Sequence, residues 1–468
     1  MFSLNSVLAQ ENHYWANQFG PTSSFLSGAV TGGVRDNSLI FYNPGAAAFT
    51  SEFNLSLQSD ALHNQNIYVK NGAGTGINVH HNRFESVPQL FAITYGNKKR
   101  PNWRTSFGWL TATYSNIQLR ARNEVVIDLY SELPGEELYV GTWNYRNRVR
   151  EDWYGFALTR KFGEKFGLGI STFLTMRSYE YIESQDQNIY ADKSNVLTEY
   201  ESIRYIVTSN NLDGAAAGLL FKIGLAFEVK DYKFGLTVTT PRAQMDFLAS
   251  MTLNSSVYSN IIGPDSGMGL PSYSILYDNV QSVFKSPLII DFGIMKNFFE
   301  TDIYLRLGYF SKVAVYQLVN PEELSKVSSL ISNSSAGVGV PFLAQKQIWN
   351  VAIGWNRMIT EKFGMMAGYR TDFNYLDSDA LENIEGFTPE ISYWNLHHFS
   401  AGTNIKILKH DITVGLVYSY GYASEAEQFV NLNVPNVGSG EIFTQKESNA
   451  EAHIDQIYLT LGYIYNFN

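Results

Sequence analysis

The chain has 468 residues, of which 45% are apolar and 15% aromatic but only 17% charged, with a formal net charge of −10 and no cysteine. The missing cysteines exclude disulfide scaffolds and zinc–thiolate centres. The acidic balance removes the basic footprint of a nucleic-acid binder, and the aromatic content argues against disorder.

No run of about 20 apolar residues is present, so no transmembrane helix is expected. At the N-terminus, Leu4–Ala9 before Gln10 resembles the end of a secretory signal peptide with its cleavage site, and residues 1–9 are read as its remnant. Residues 10–51 read neither as strand nor as linker. Gly28–Ala48 is rich in small, apolar and turn-forming residues, with Gly32, Gly33, Asp36, Asn43 and Pro44 at its turns. It is expected to form a compact plug.

From residue 52 to 468 the dominant signal is alternation with period two. Ile457, Leu459, Leu461, Tyr463, Tyr465 and Phe467 alternate with Tyr458, Thr460, Gly462, Ile464 and Asn466. Trp349, Val351, Ile353 and Trp355 alternate with Asn350, Ala352, Gly354 and Asn356. The second face carries Gly, Thr and Asn with occasional charges such as Arg306, Arg370 and Asp372, and aromatic residues gather at the strand ends. Each pattern lasts ~10 residues, the length of a tilted strand crossing a bilayer. Backbone groups in hydrocarbon must all be paired, so such strands close into a barrel.

Six connections are short and basic, at 96–102, 161–165, 229–232, 297–301, 357–362 and 407–410. Seven are long and acidic, at about 61–88, 121–147, 184–213, 249–284, 316–347, 376–393 and 422–452. Six plus seven connections join 14 strands, centred near residues 56, 92, 110, 155, 173, 221, 238, 290, 307, 352, 369, 400, 415 and 461. The expected fold is all-β, a 14-stranded antiparallel transmembrane β-barrel with short periplasmic turns and long extracellular loops. A barrel of this width is not filled by its own side chains, which leaves room for the N-terminal plug.

The pattern Gly-Gly-Val-Arg-Asp-Asn-Ser at 32–38, followed by Phe-Tyr-Asn-Pro-Gly-Ala at 41–46, resembles the N-terminal hatch of FadL-type long-chain fatty acid and hydrocarbon transporters. Segments 234–241, 286–293 and 462–467 are similar to that family as well. The resemblance implies a 14-stranded barrel of the bacterial outer membrane, closed by a plug that contains Asp36, Asn43 and Pro44. It also implies passive uptake of hydrophobic molecules with lateral release into the membrane. Gly45 stands where the family favours alanine, and the chain ends Phe467-Asn468 rather than on an aromatic residue.

No hydrolase, metalloprotease or phosphate-loop motif is present, so the expectation is a non-enzyme without cofactor or metal. His397 and His398 are adjacent and must face opposite sides of a strand; His80 and His81 lie in the first long loop. Asp377, Asp379 and Glu382 read as a hydrated acidic loop rather than a calcium site. Arg306, Arg370 and Asp372 read first as an ionic network around the plug, and second as a grip on a substrate carboxylate. Pro241 lies inside a strand pattern and implies a bulge. Aromatic and apolar loop residues, Tyr273, Leu276 and Tyr277 in the fourth loop and Phe342 and Leu343 in the fifth, are the ligand candidates. The expected partners are a hydrophobic small molecule or lipid and the membrane lipids. The alternative is a non-transporting barrel subunit of an outer-membrane secretion or assembly complex, with the acidic loops as docking surfaces.

Overall fold

The computed structural model describes residues 12–33, 36–50, 53–96, 99–191, 201–261, 272–320, 322, 339–384, 386–389, 392, 394–436 and 443–467. The signal-peptide reading of residues 1–9 lies outside them. The strands are β1 (Phe53–Lys70), β2 (Val79–Gly96), β3 (Trp103–Ile127), β4 (Glu137–Phe162), β5 (Phe166–Ala191), β6 (Glu201–Val229), β7 (Tyr232–Thr239), β8 (Ala243–Ile261) and β9 (Tyr273–Val280). They continue with β10 (Ile289–Phe298), β11 (Thr301–Phe310), β12 (Val313–Gln317), β13 (Phe342–Gln345), β14 (Ile348–Met358), β15 (Phe363–Asp372), β16 (Asn395–Ile407), β17 (His410–Ala426) and β18 (Ala450–Asn466).

Sixteen strands share one antiparallel sheet, in which β8 and β9 are appended to β6. The other fourteen close on themselves, because β5 pairs with β6 and β1 with β18. Every strand centre read from the alternation falls in one of these fourteen. Each of the fourteen has a partner on both sides, as backbone in hydrocarbon requires. The pleat does the sorting: Leu57, Phe107, Ile170, Ile223, Ile353 and Leu416 point outward and are exposed, whereas Tyr304, Ala352, Met366 and Thr460 point inward and are buried. An exposed apolar girdle around a closed antiparallel barrel is the surface of a membrane-spanning protein.

The wall is far from uniform in height. β3 to β6 run 25, 26, 26 and 29 residues, whereas β7, β10, β11 and β15 run 8 to 10. Most of the segments read as loops at 61–88, 121–147 and 184–213 are therefore strand, forming hairpins that rise past the bilayer. Above the hydrocarbon the outward face no longer has to be apolar. The ladder continues with residues such as Arg120, Arg122 and Glu124, and the alternation fades while the pairing does not.

Pro241 sits at a bulge, as expected. Leu220 and Phe221 of β6 lie opposite Thr240, Pro241 and Arg242, between the pairs Lys222–Thr239 and Leu219–Ala243. The bulge also divides the strand into β7 and β8, and of these two it is β7 that pairs with β10.

Candidate functional site

Inside the barrel, residues 12–33 and 36–50 pack against the wall around the full circumference. Two short 3₁₀ turns (Ser24–Leu26 and Pro44–Phe49) and one helical turn (Leu39–Tyr42) are the segment's regular structure. It lies close to the wall because inward positions there are glycine. A Cβ at Gly402 would meet the Phe25 ring, at Gly368 the Leu26 carbonyl carbon, at Gly293 Thr31, at Gly235 the Thr31 carbonyl, and at Gly169 the Pro44 backbone. Wall hydroxyls fill the intervening positions and donate to the segment's carbonyls: Thr159 to Pro44 (2.6 Å), Ser171 to Ile40 (2.8 Å), Thr237 to Tyr42 (2.8 Å) and Ser400 to Phe25 (2.9 Å). These turns have few internal bonds of their own, so the wall satisfies the remainder.

The residues singled out at the turns occupy specific places. Gly32 lies over the backbone of Gly293, and Gly33 against the Met295 side chain. The buried Asp36 carboxylate accepts from Thr22 N (2.8 Å), Ser23 N (3.0 Å), Ser38 N (3.0 Å) and the hydroxyls of Ser23 and Ser38, which ties 22–23 to 38. Asn43 Oδ1 caps the following turn by accepting from Gly45 N (3.0 Å). Its Nδ2 donates to Thr31 O and to Leu225 O of β6, both at 2.9 Å.

The lumen charges serve the same contact. Arg306 pairs with Asp291 at 2.8 Å and donates to Gly28 O (3.2 Å), with its guanidinium 4.2 Å from the Trp15 ring centre. Arg370 donates to Trp15 O and Ala16 O, both at 2.9 Å. Asp372 accepts from Trp15 N (3.1 Å) and Asn350 Nδ2 (3.2 Å). All three meet the N-terminal segment, which favours the ionic-network reading over the grip on a substrate.

Above this tier lies a second apolar cluster. The chain at 313–319, 340–345 and 429–432 folds onto the inner face of the tall hairpins, with Trp143 stacked on Phe429 (5.6 Å) and Tyr181 on Phe387 (5.5 Å). The ligand candidates Tyr277 and Leu343 are buried here and Phe342 packs against them, whereas Leu276 is 60% exposed. Of Tyr273 only the backbone, at the start of β9, is described. Next to this cluster, Trp143 Nε1 and Tyr181 OH both donate to Glu183. Burial raises the Glu183 carboxyl and lowers the Lys446 ammonium, and their mutual attraction opposes both shifts.

His397 and His398 do face opposite sides: His397 meets Tyr369 OH and His398 meets Ser419 Oγ inside. His80 is held by Asn66, His81 by the Gln118 carbonyl, and Asp377 is paired with Lys312.

Two ladders of the wall have only seven register pairs: β14–β15, where β15 itself ends at Asp372, and β2–β3, where both strands run on and a seam opens between them. β3 pairs with β4 from Trp103 to Ile127, but with β2 over only seven register pairs, from Gly96–Arg104 to Leu90–Leu110. A strand needs about 9–11 residues to cross the hydrocarbon, so this ladder ends inside the membrane. Above it, side chains replace the ladder: Thr111 Oγ1 donates to Pro88 O (2.9 Å), Tyr114 OH to Glu85 (2.8 Å), and His81 meets Gln118 O (2.8 Å). Pro88 lacks an N–H, and β3 carries a register shift at Thr111–Thr113 against β4. Pro88, inside the β2 alternation, is the sequence signal for this seam.

No family model matches the chain, and no curated protein does. Solved structures do. A Pseudomonas aeruginosa FadL homologue superposes with a TM-score of 0.61 at 12% identity, covering 97% of this chain and 100% of its own. The chain has the FadL fold. The P. putida toluene transporter TodX (TM-score 0.58, 12% identity, 96% and 99% covered) and the Ralstonia pickettii toluene transporter TbuX (0.52, 13%, 96% and 98%) have the same architecture. At this identity the likeness covers the FadL fold and leaves cargo to be argued from the site.

Proposed function

We propose that the protein is an outer-membrane channel for passive uptake of hydrophobic small molecules, with residues 12–50 as a plug that closes the lumen to water. The seam between β2 and β3 carries this reading. An apolar solute gains nothing by leaving the barrel into water, whereas an opening at hydrocarbon level delivers it directly into the bilayer. At the long-hairpin end the apolar cluster around Tyr277, Phe342 and Trp143 is packed shut, so a solute enters by parting it. The toluene transport of TodX and TbuX points the same way, and long-chain fatty acids are a second class of cargo with the required chemistry.

The chain has no cysteine, so a pair introduced at Glu85 and Tyr114 can be bridged across the seam by a short bis-maleimide without side reaction. Bridging is expected to reduce uptake of labelled long-chain fatty acid and of toluene to the level of cells lacking the protein. The same bridge between Tyr114 and Arg150, register partners on β3 and β4, should leave uptake unchanged. Full uptake through a bridged seam would refute lateral release.

A further inference from the structure

On the outer surface below the seam, two features stand in line. At the short-turn end, Arg100, Pro101, Asn102, Trp103 and Arg160 line a shallow, open hollow of about 280 Å³. The Arg160 guanidinium lies 5.3 Å from the Trp103 ring centre and 4.8 Å from that of Phe162. Arg104 shapes this turn from within, donating to Pro101 O (2.6 Å) and Trp103 O (3.1 Å). Among the described residues neither Arg100 nor Arg160 has a carboxylate partner, whereas the neighbouring Lys161 is paired with Glu164 at 2.9 Å. Further up the same strands is a groove of about 660 Å³ lined by Phe91, Phe107, Trp109, Tyr154, Phe156 and Leu174.

The register relates the two. Trp103 lies opposite Arg160, and Phe107 opposite Phe156 four residues along. At a rise of about 3.3 Å per residue, the groove begins ~13 Å from the arginines along the strand. A phospholipid has that layout, an anionic phosphate at the interface and acyl chains that start just beyond the glycerol and are long enough to run on into the groove. Two guanidiniums without an acid suit a phosphodiester, and the tryptophan sits at headgroup depth.

We propose that Arg100, Arg160 and Trp103 bind the headgroup of one anionic phospholipid, whose acyl chain lies in the Phe91–Phe107–Phe156 groove. The site takes a lipid of the leaflet that meets the short turns. Occupancy does not require the channel to transport anything.

The test is native mass spectrometry of the full chain in detergent, titrated with phosphatidylglycerol, phosphatidylcholine or inorganic phosphate. One phosphatidylglycerol is expected to be retained in preference to phosphatidylcholine. The double variant R100Q/R160Q should weaken it at least about tenfold, because two charge-assisted contacts are lost. F107A, which spares the arginines, should shorten retention. K296Q serves as the control, because Lys296 is also flanked by two rings, Tyr232 and Phe298, at another short turn. The proposal is overturned if K296Q loses as much lipid as R100Q/R160Q, if phosphatidylcholine binds equally, or if inorganic phosphate displaces the lipid completely and F107A has no effect. Heat-modifiable migration of each variant separates loss of binding from loss of folding.

Discussion

Replacing Gly235 by valine should open the lumen to water-soluble solutes while the barrel stays folded. A Cβ at this position would collide with the carbonyl of Thr31 and stand 2.6 Å from its carbon and 2.7 Å from Asn43 Nδ2. The obstacle is backbone and a buried amide, neither of which moves alone: Asn43 Nδ2 bridges Thr31 O to Leu225 O, and its Oδ1 caps the turn at Gly45. On the wall side, Gly235 keeps its ladder with Ala226 and Gly293, and valine is a favourable strand residue. The conflict therefore falls on the contact between segment and wall. Overpacking of about 1–3 kcal/mol raises the population of a displaced segment about 5- to 150-fold. The measurement is sensitivity of cells to a hydrophilic antibiotic too large for ordinary porins, with conductance in planar bilayers beside it. G235A should produce a smaller increase in the same direction. If both variants conduct like the native protein, residues 12–50 do not control the aqueous path.

Asp36→Ala should loosen the same segment from within. The carboxylate gathers three backbone N–H groups and two hydroxyls from positions 22, 23 and 38, all buried. Alanine leaves the N–H groups of Thr22, Ser23 and Ser38 without that acceptor. At about 1–3 kcal/mol for each buried donor left unmade, the expected cost is several kcal/mol, enough to unfold a local unit without unfolding the barrel. Hydrogen exchange should show amides 20–38 losing protection while those of β3–β6 keep theirs. Asp36→Asn retains one carbonyl acceptor and should fall between the two. Equal protection in the native protein and in D36A would mean that the wall contacts alone hold the segment. The two variants differ in kind: G235V pushes a folded segment away from the wall, whereas D36A removes its internal tie.

Strand number, pairing order and outward girdle were legible because the bilayer enforces a simple code. Every spanning residue faces either hydrocarbon or lumen, and the two faces differ in composition at every second position. The small residues and turn formers at 28–33 and 36–48 have a related reason, since a segment that approaches a wall closely uses both. Residues such as Asn37, which donates to Asn54 O and Ala92 O, and Gln58, which meets Gly20 N and Gln18 O, gave no local signal. Their partners are distant in the chain and chosen only by the tertiary fold.

The alternation of apolar and small residues by itself determined that this chain closes into a fourteen-stranded barrel with an outward apolar surface. The height of the hairpins, the halted β2–β3 ladder and the docking of Arg306, Arg370 and Asp372 on the N-terminal segment were decided only in three dimensions. Period two states which face a residue occupies. It does not state how long two neighbours stay paired or what waits on the inner side, and these depend on register, on a proline in one strand and on the fit of a segment some three hundred residues away.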